Sequence, residues 1–360
     1  MDRFAYRNLV AAVEGALIIP SASQPGFTSR NLRDPLRSVE WRSPVGHTIG
    51  RFNDRLDFER SSVPYAAVLT HGTYATPDDL AEHVEARMNA EDANSYNIVP
   101  NTTSGQSKFQ ITGSAAFELR FATGANLARS IALDLGHSEI DKTGANNYAS
   151  NVDAYHSRAW IVVDLLTAQA FQRALILGHN LTPGASVVLE ANDSDAWTTP
   201  AAALSLPVAG IYRGADFAEA TWRYVRLELD DRSNPDAFTR IGAFFVGPYF
   251  EPSRGHSLAE RHGRTGASRA VRARQGALHQ VRYQQGGEWG ITFEGLTDAD
   301  RASFEVLADD VRAGGSFFWT HDAADLSDTH YLTFVDFAFE RLEETDDKWI
   351  LALDLEEALG

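Results

Sequence analysis

Short apolar runs, each followed within a few residues by a turn signal, most constrain the fold of this chain. The clearest run is residues 159–165 (AWIVVDL), a pattern typical of a buried strand. Clusters of glycine, asparagine and proline then interrupt the chain, as at residues 178–180 (GHN) and 182–184 (TPG). Further runs of this kind occupy residues 171–177, 186–189, 224–229 and 241–246. Several short strands with regularly spaced turns predict a β-sandwich or barrel across residues 151–250.

Length and composition narrow the class of protein. A chain of 360 residues with 44% hydrophobic residues is expected to form two or three globular domains. Because the sequence has no cysteine, a disulfide-bonded scaffold, a cysteine-ligated zinc site and a thiol nucleophile are excluded. The formal net charge of −17 argues against nucleic acid as a partner of the whole chain, since phosphate binding needs clustered cations.

The apolar run near the N-terminus is too short to cross a membrane. Residues 9–20 (LVAAVEGALIIP) contain Glu14 and end at Pro20, whereas a spanning helix needs about 20 apolar residues. The run also lacks the basic start and the small-residue cleavage site of a signal peptide. We therefore expect synthesis in a cytoplasm and no membrane insertion.

Two helices are predicted from their start signals. Thr76 is a favourable N-cap followed by proline, which predicts a helix over residues 77–90. A similar threonine and a periodic apolar face predict a second helix over residues 297–312. Strand patterns surround the first helix, so residues 51–150 are expected to form a small α+β module. Its polar end, residues 141–151, is predicted to be a linker.

Charge is divided unevenly along the C-terminal third of the chain. Residues 254–285 carry seven arginines and one acid, Glu260, whereas residues 286–360 carry 19 acids and four bases. Complementary potentials of this kind steer subunit assembly, so the basic segment is a candidate subunit interface. A solvated basic face and a site for phosphate or nucleic acid are the alternatives. The candidate interface residues are Arg254, Arg261, Arg264, Arg269, Arg272, Arg274 and Arg282.

The common catalytic signatures are absent from the sequence, including the Gly-x-Ser-x-Gly elbow, the Walker loop and the His-Glu-x-x-His helix. We therefore predict no catalytic, cofactor-binding or metal-binding residue. Residues 321–330 combine histidines with aspartates, which suits a metal site but equally an ordinary solvated hairpin loop, the interpretation that we prefer. Trp160, Trp289 and Trp349 lie inside strand runs and are predicted to be core residues rather than a sugar platform.

Residues 159–195 resemble the discoidin- or galactose-binding-like β-sandwich of phage tail-tip proteins. The resemblance rests on a Trp-x-x-x-Asp-Leu strand, a Gly-His-Asn-Leu turn and a Val-x-Leu-x-Ala-Asn strand at residues 160–165, 178–181 and 187–192. Upstream, residues 39–43 (VEWRS) look like an opening strand of the same sandwich. The resemblance therefore implies a discontinuous sandwich that is interrupted by an inserted module.

Two other parts of the chain also resemble phage virion proteins. Residues 69–74 (LTHGTY), the helix that follows and residues 108–112 (KFQIT) are similar to a small α+β module of such proteins. Residues 296–301, 317–319 and 349–359 resemble the closing β-α-β domain of phage minor tail proteins. The predicted fold is mainly β with minor α, and it has four parts. They are N-terminal sandwich strands (1–50), an inserted α+β module (51–150), the β-sandwich (151–250) and a C-terminal α+β tail-assembly domain (251–360).

This resemblance implies a non-enzymatic virion structural protein of a phage tail tip or baseplate. Such a protein would form a homo-oligomeric ring and link the tail tube and hub to fibres or receptor-binding proteins. A carbohydrate- or receptor-binding module of the tail is the alternative, with a host surface glycan as partner and Asn180, Asn192 and Trp197 as candidate ligand residues. A glycan-degrading tail enzyme is a third, less favoured possibility.

Overall fold

Strands dominate the part of the chain that the structure, a computed structural model, describes. The described residues are 2–12, 17–20, 23, 27–33, 40–43, 47–101, 108–152, 158–209, 212–231, 234–236, 238–257, 261–272, 278–312, 316–341 and 348–357. Of residues 261–272 and 278–286 only the main chain is described. The protein is mainly β with minor α and is built from several sheets in a multi-domain arrangement, which confirms the predicted fold class.

The elements are numbered in chain order. The first strands are β1 (Arg3–Ala5), β2 (Leu17–Pro20), β3 (Trp41–Arg42), β4 (His47–Ile49), β5 (Arg55–Arg60), β6 (Val63–Val68), β7 (Gly72–Tyr74), β8 (Tyr96–Asn101), β9 (Lys108–Leu119) and β10 (Lys142–Ala149). The next are β11 (Arg158–Leu177), β12 (Ser186–Asn192), β13 (Ala202–Ser205), β14 (Val208–Ala209), β15 (Tyr212–Asp230), β16 (Arg240–Ile241), β17 (Ala243–Gly247) and β18 (Tyr249–Phe250). The last are β19 (Arg261–Arg272), β20 (Leu278–Leu296), β21 (Phe317–Thr320), β22 (Thr329–Arg341) and β23 (Trp349–Glu357). The helices are α1 (Leu9–Ala12), α2 (Pro77–Glu91) and α3 (Asp298–Arg312).

The central sheet has the strand order β13-β12-β15-β11-β17. Alternate residues of a strand point to opposite faces, so Ile161 and Val163 of β11 join the apolar core with Leu227 of β15. Strand β2 pairs with the first half of β11, although residues 51–150 lie between them in the sequence. One sheet is therefore assembled from two separated pieces of chain.

The inserted residues form a second sheet, β10-β9-β5-β6, with β8 paired to β9. Helix α2 begins with a capping box, in which the Asp79 backbone donates to the Thr76 hydroxyl and the Thr76 backbone donates to the Asp79 carboxylate. Its buried face carries Leu80, Val84 and Met88, as the apolar spacing requires. The prediction of this helix is confirmed.

The predicted linker at residues 141–151 is wrong, because most of it is strand β10, paired with β9. Tyr148 explains the pairing. Its ring is buried against Phe117, and its hydroxyl donates to the Phe117 carbonyl at 2.5 Å. Composition rich in glycine and asparagine suggested a loop, but one buried aromatic anchors the segment to the sheet.

The C-terminal sheet has the order β18-β1-β21-β22-β23-β20-β19, and α3 packs Phe304 and Leu307 into its core. Strand β1 differs from the expectation that residues 1–50 all serve the sandwich, since it pairs with β18 and β21. The reason is Phe4, whose fully buried ring packs among the phenylalanines of this core. The division of the chain at residues 50, 150 and 250 stays a prediction.

Candidate functional site

The outer face of the central sheet, opposite its apolar core, carries buried charged residues. Arg226 of β15 lies between Glu190 of β12 and Val162 of β11 in the strand register, and Glu228 follows two residues later on the same face. Both glutamates and the arginine are at most 2% exposed. Buried charges are costly unless they are paired, so this face must be covered by groups that complete the pairing.

The guanidinium of Arg226 contacts neighbours from two strands and from the inserted module. Its Nε and Nη2 donate to Glu190 Oε2 at 2.8 and 2.6 Å, and Nη2 also lies 3.0 Å from Glu228 Oε1. Its Nη1 lies 2.8 Å from Nδ1 of His71, a residue of the inserted module. The arginine therefore joins the central sheet to the insertion.

Other groups of the inserted module extend this network. Arg51 donates to Glu190 Oε1 at 3.0 Å, and Nε2 of His71 lies 2.9 Å from Oδ2 of Asp54. A second buried ion pair, between Asp134 and Arg158, connects the insertion to the start of β11. The insertion is thus held on the outer face by paired charges rather than by an apolar interface alone.

Burial shifts the acidities of two carboxyls in these pairings. It raises the pKa of Glu228 to about 7, and the neighbouring Glu190 carboxylate adds to the rise while Arg226 opposes it. Burial likewise raises the pKa of Asp134 to about 6, against the attraction of Arg158. Both carboxyls therefore titrate much closer to neutral pH than an exposed acid.

A cleft of about 320 Å³ opens beside Arg226, between the outer sheet face and the insertion. The indole of Trp197 lies over the guanidinium, 4.7 Å from ring centroid to Cζ, and its Nε1 donates to Asp195 Oδ1 at 2.6 Å. Trp160 is half-buried on the same face, so its prediction as a core residue is corrected. The lining residues are Ile19, Thr70, His71, Trp160, Val162, Asp195, Ala196, Trp197, Thr198 and Arg226.

Of the three candidate ligand residues from the sequence, Trp197 alone lines this cleft. Asn180 is bound to the loop before β16, since its Nδ2 donates to Asp236 Oδ2 and to the Phe238 carbonyl, both at 2.8 Å. Asn192 donates to the Ala196 carbonyl at 2.6 Å and so shapes the loop that carries Trp197. Both asparagines have structural roles in these contacts.

Sequence reasoning missed His71 and Arg226 as parts of a site. No local pattern marks them, because the two residues lie 155 positions apart, His71 directly before β7 and Arg226 within β15. The position of Trp160 could have been predicted from the strand period. Ile161 and Val163 fill the core, so Trp160, which alternates with them along β11, lies on the opposite face.

Two other groups from the sequence analysis are placed as follows. Arg254 is exposed, Arg274 lies outside the described residues, and the other five arginines of the candidate interface belong to strands β19 and β20, whose side chains there are not described.

In the loop at residues 321–330, His321 and His330 both contact the Asp328 carboxylate, at 2.8 and 3.1 Å. Within the part of the chain that the structure describes, no three histidine or acidic side chains are grouped so as to hold a metal ion.

The two remaining tryptophans in strand runs differ from each other. Trp289 is buried at 5% exposure, as predicted, whereas Trp349 is half-buried at the surface and is corrected. Its indole donates to Asp298 and lies 4.2 Å from the Arg301 guanidinium carbon.

Among the described residues, no helix combines the length and the apolar character needed to cross a bilayer.

Comparison with known proteins gives solved structures only: no family model and no curated protein matches the chain. A fucosidase from Ruminococcus gnavus, solved with fucose, is similar over 68% of this chain and 27% of its own length, with 11% identity and a TM-score of 0.31. A chitosan-binding module from Paenibacillus sp. IK-5 is similar over 25% of this chain and 68% of its own, with 20% identity and a TM-score of 0.20. A fucose-binding module from Streptococcus pneumoniae covers 25% of this chain and 62% of its own, with 18% identity and a TM-score of 0.20. TM-scores this low carry no argument about function.

Proposed function

We propose that this chain is a non-enzymatic structural protein of a phage tail tip or baseplate. In this role it forms a homo-oligomeric ring and links the tail tube to fibres or receptor-binding proteins within the virion. The sequence resemblance supports this role, and one structural observation carries it: the long hairpin formed by β19 and β20.

The hairpin of β19 and β20 extends past the rest of its sheet. Strand β23 pairs with β20 no further than Glu288, whereas β19 pairs with β20 as far as Leu278. Within the described strands, residues 278–287 thus pair with β19 alone and add about 30 Å of two-stranded ribbon. An isolated two-stranded hairpin is marginally stable in water, so a neighbouring molecule is the natural support for this ribbon.

The exposed face of the C-terminal sheet offers a partner for the arginine-rich hairpin. Asp336 of β22 lies directly opposite Asp354 of β23, and both side chains are exposed. Like charges in directly opposed positions destabilise a sheet, and cations from a neighbouring subunit would relieve that repulsion. A basic hairpin on one copy and an acidic face on the next give a head-to-tail contact, the kind that closes into rings.

Native mass spectrometry of the full chain tests the ring. At low salt we expect an oligomer, and Arg269→Glu combined with Arg272→Glu should shift it towards monomer because the contact is between opposite charges. The matched control is Arg7→Glu with Arg87→Glu, an equal charge change at exposed positions outside the hairpin. A wild-type monomer, or an oligomer that the hairpin variant leaves intact, contradicts the proposal. Gold labelling of the C-terminus on the particle tests the position in the tail.

The carbohydrate-binding alternative has one observation in its favour, the cleft beside Trp197 with its second indole, Trp160. A glycan array with the full chain tests it, and specific retention of a glycan supports this alternative. The enzymatic alternative predicts turnover of host polysaccharide by the purified protein. Release of new reducing ends would contradict the non-enzymatic role.

A further inference from the structure

We propose that the cleft between the inserted module and the outer face of the central sheet is a binding site for a neutral saccharide of one or two rings. This inference rests on the carbohydrate-binding alternative and is independent of ring assembly. The cleft is a composite, since Ile19 comes from β2, His71 from the insertion, Trp160 from β11 and Trp197 from the loop after β12. The insertion therefore completes the site.

The electrostatics of the cleft exclude an anion as its preferred occupant. Arg226 is the cation in the lining, and its charge is already matched by the Glu190 carboxylate, 2.6 Å away. The exposed charge at the rim is instead Asp195, a carboxylate. A phosphate, a uronic acid or a sialic acid would approach this carboxylate without gaining a cation that is still unmatched.

The surfaces of the cleft suit an occupant with one apolar face and many hydroxyls. The half-buried indole of Trp160 and the exposed side chain of Ile19 supply apolar area, against which the C–H face of a sugar ring can pack, while Trp197 and Val162 are buried at 8% and 3% exposure. The hydroxyl of Thr198 and the carboxylate of Asp195 lie at exposed positions on the rim, where they can exchange hydrogen bonds with sugar hydroxyls. A purely apolar ligand would leave these polar groups unmatched.

The size of the cleft sets the size of the ligand. Small-molecule sites begin at about 300 Å³, and the cleft measures about 320 Å³. Such a volume takes one or two sugar rings and not a long chain segment. The buried indole of Trp197 is fixed by its hydrogen bond to Asp195 and its stack on Arg226, so this part of the cleft wall has its shape before a ligand arrives.

The test combines an array of neutral and acidic glycans with a variant that fills the cleft. Thr198→Trp places a bulky ring at an exposed lining position, and Thr199→Trp places the same ring at the next exposed position outside the lining. We expect retention of neutral glycans by the full chain. In calorimetric titration with the best-retained neutral glycan, Thr198→Trp should weaken affinity by about tenfold or more while Thr199→Trp leaves it unchanged.

A second variant tests whether Thr198→Trp weakens binding by filling the cleft or by disturbing the structure around it. Trp160→Ala removes one apolar wall and should also weaken binding, with thermal unfolding showing that the protein stays folded. Absence of any neutral glycan on the array, or a preference for acidic glycans, overturns the proposal. Retention of a neutral glycan with equal affinity in Thr198→Trp keeps the carbohydrate-binding alternative but overturns the cleft as its site.

Discussion

Glu228 shows how a single buried side chain ties this protein's stability to pH. The residue is 2% exposed, and its Oε1 lies 3.0 Å from Nη2 of Arg226. Burial keeps this carboxyl partly protonated near neutral pH. The ordinary pKa of a glutamate, 4.5, applies to the unfolded chain, whereas the folded value is about 7. Folding therefore favours the protonated form of this group.

The sign of the pH effect follows from that difference in pKa. Below the unfolded value the contribution of Glu228 to stability is fully present, and it is lost as pH rises through about 7, because ionising the buried group then costs free energy. Glu228→Gln cannot ionise. We expect wild type to lose thermal stability relative to this variant between about pH 5 and pH 8. A difference in melting temperature between the two proteins that stays constant across that range would contradict the prediction. Asp134 is present in both proteins, so its own titration cancels in the comparison.

At the scale of one element, α2 depends on its first turn. The Thr76 hydroxyl accepts from the backbone N–H of Asp79 at 3.2 Å, which satisfies one donor that has no partner within the helix. The buried residues Leu80, Val84 and Met88 then fix the helix against its sheet. The cap and the apolar face are both local features, so the sequence predicts this helix well.

Loss of the cap should have a measurable cost. Thr76→Ala removes the side-chain acceptor, and we expect the free energy of unfolding to fall by about 1 kcal/mol. Thr76→Ser keeps a hydroxyl and is the matched control. Urea unfolding measures both variants, and equal stabilities for alanine and serine at this position would show that the capping bond contributes nothing.

At the scale of the whole molecule, the chain crosses between its parts more than once. Strand β2 joins the central sheet, but β1, which precedes it in the sequence with α1 between them, joins the C-terminal sheet. Phe4 is fully buried there, with its ring centroid 5.2 Å from that of Phe250 and 5.0 Å from that of Phe304. The N-terminus therefore stabilises the far end of the chain.

Truncation of this aromatic should weaken the C-terminal sheet. Phe4→Ala leaves a cavity in a packed core, and we expect a loss of about 3–5 kcal/mol in the free energy of unfolding. Arg7→Ala, a nearby exposed change, is the control. Guanidinium unfolding followed by tryptophan fluorescence measures the loss, and the buried Trp289 and Trp319 of this sheet contribute to the signal. A Phe4 variant as stable as the control would mean that β1 is dispensable.

The sequence by itself determined the β-rich class, the two long helices and most of the strands, because strand period, caps and turn residues act over a few neighbouring positions. Residues 141–151 mark the limit of such reasoning, since one buried tyrosine outweighed a loop-like composition. The cleft was decided by the tertiary structure alone. His71 contacts Arg226, 155 positions away in the sequence, and Arg51 contacts Glu190, 139 positions away. Pairs so distant in the sequence leave no local pattern that could predict them. Burial in a shared interface gives these residues their partners, and burial is a property of the folded chain.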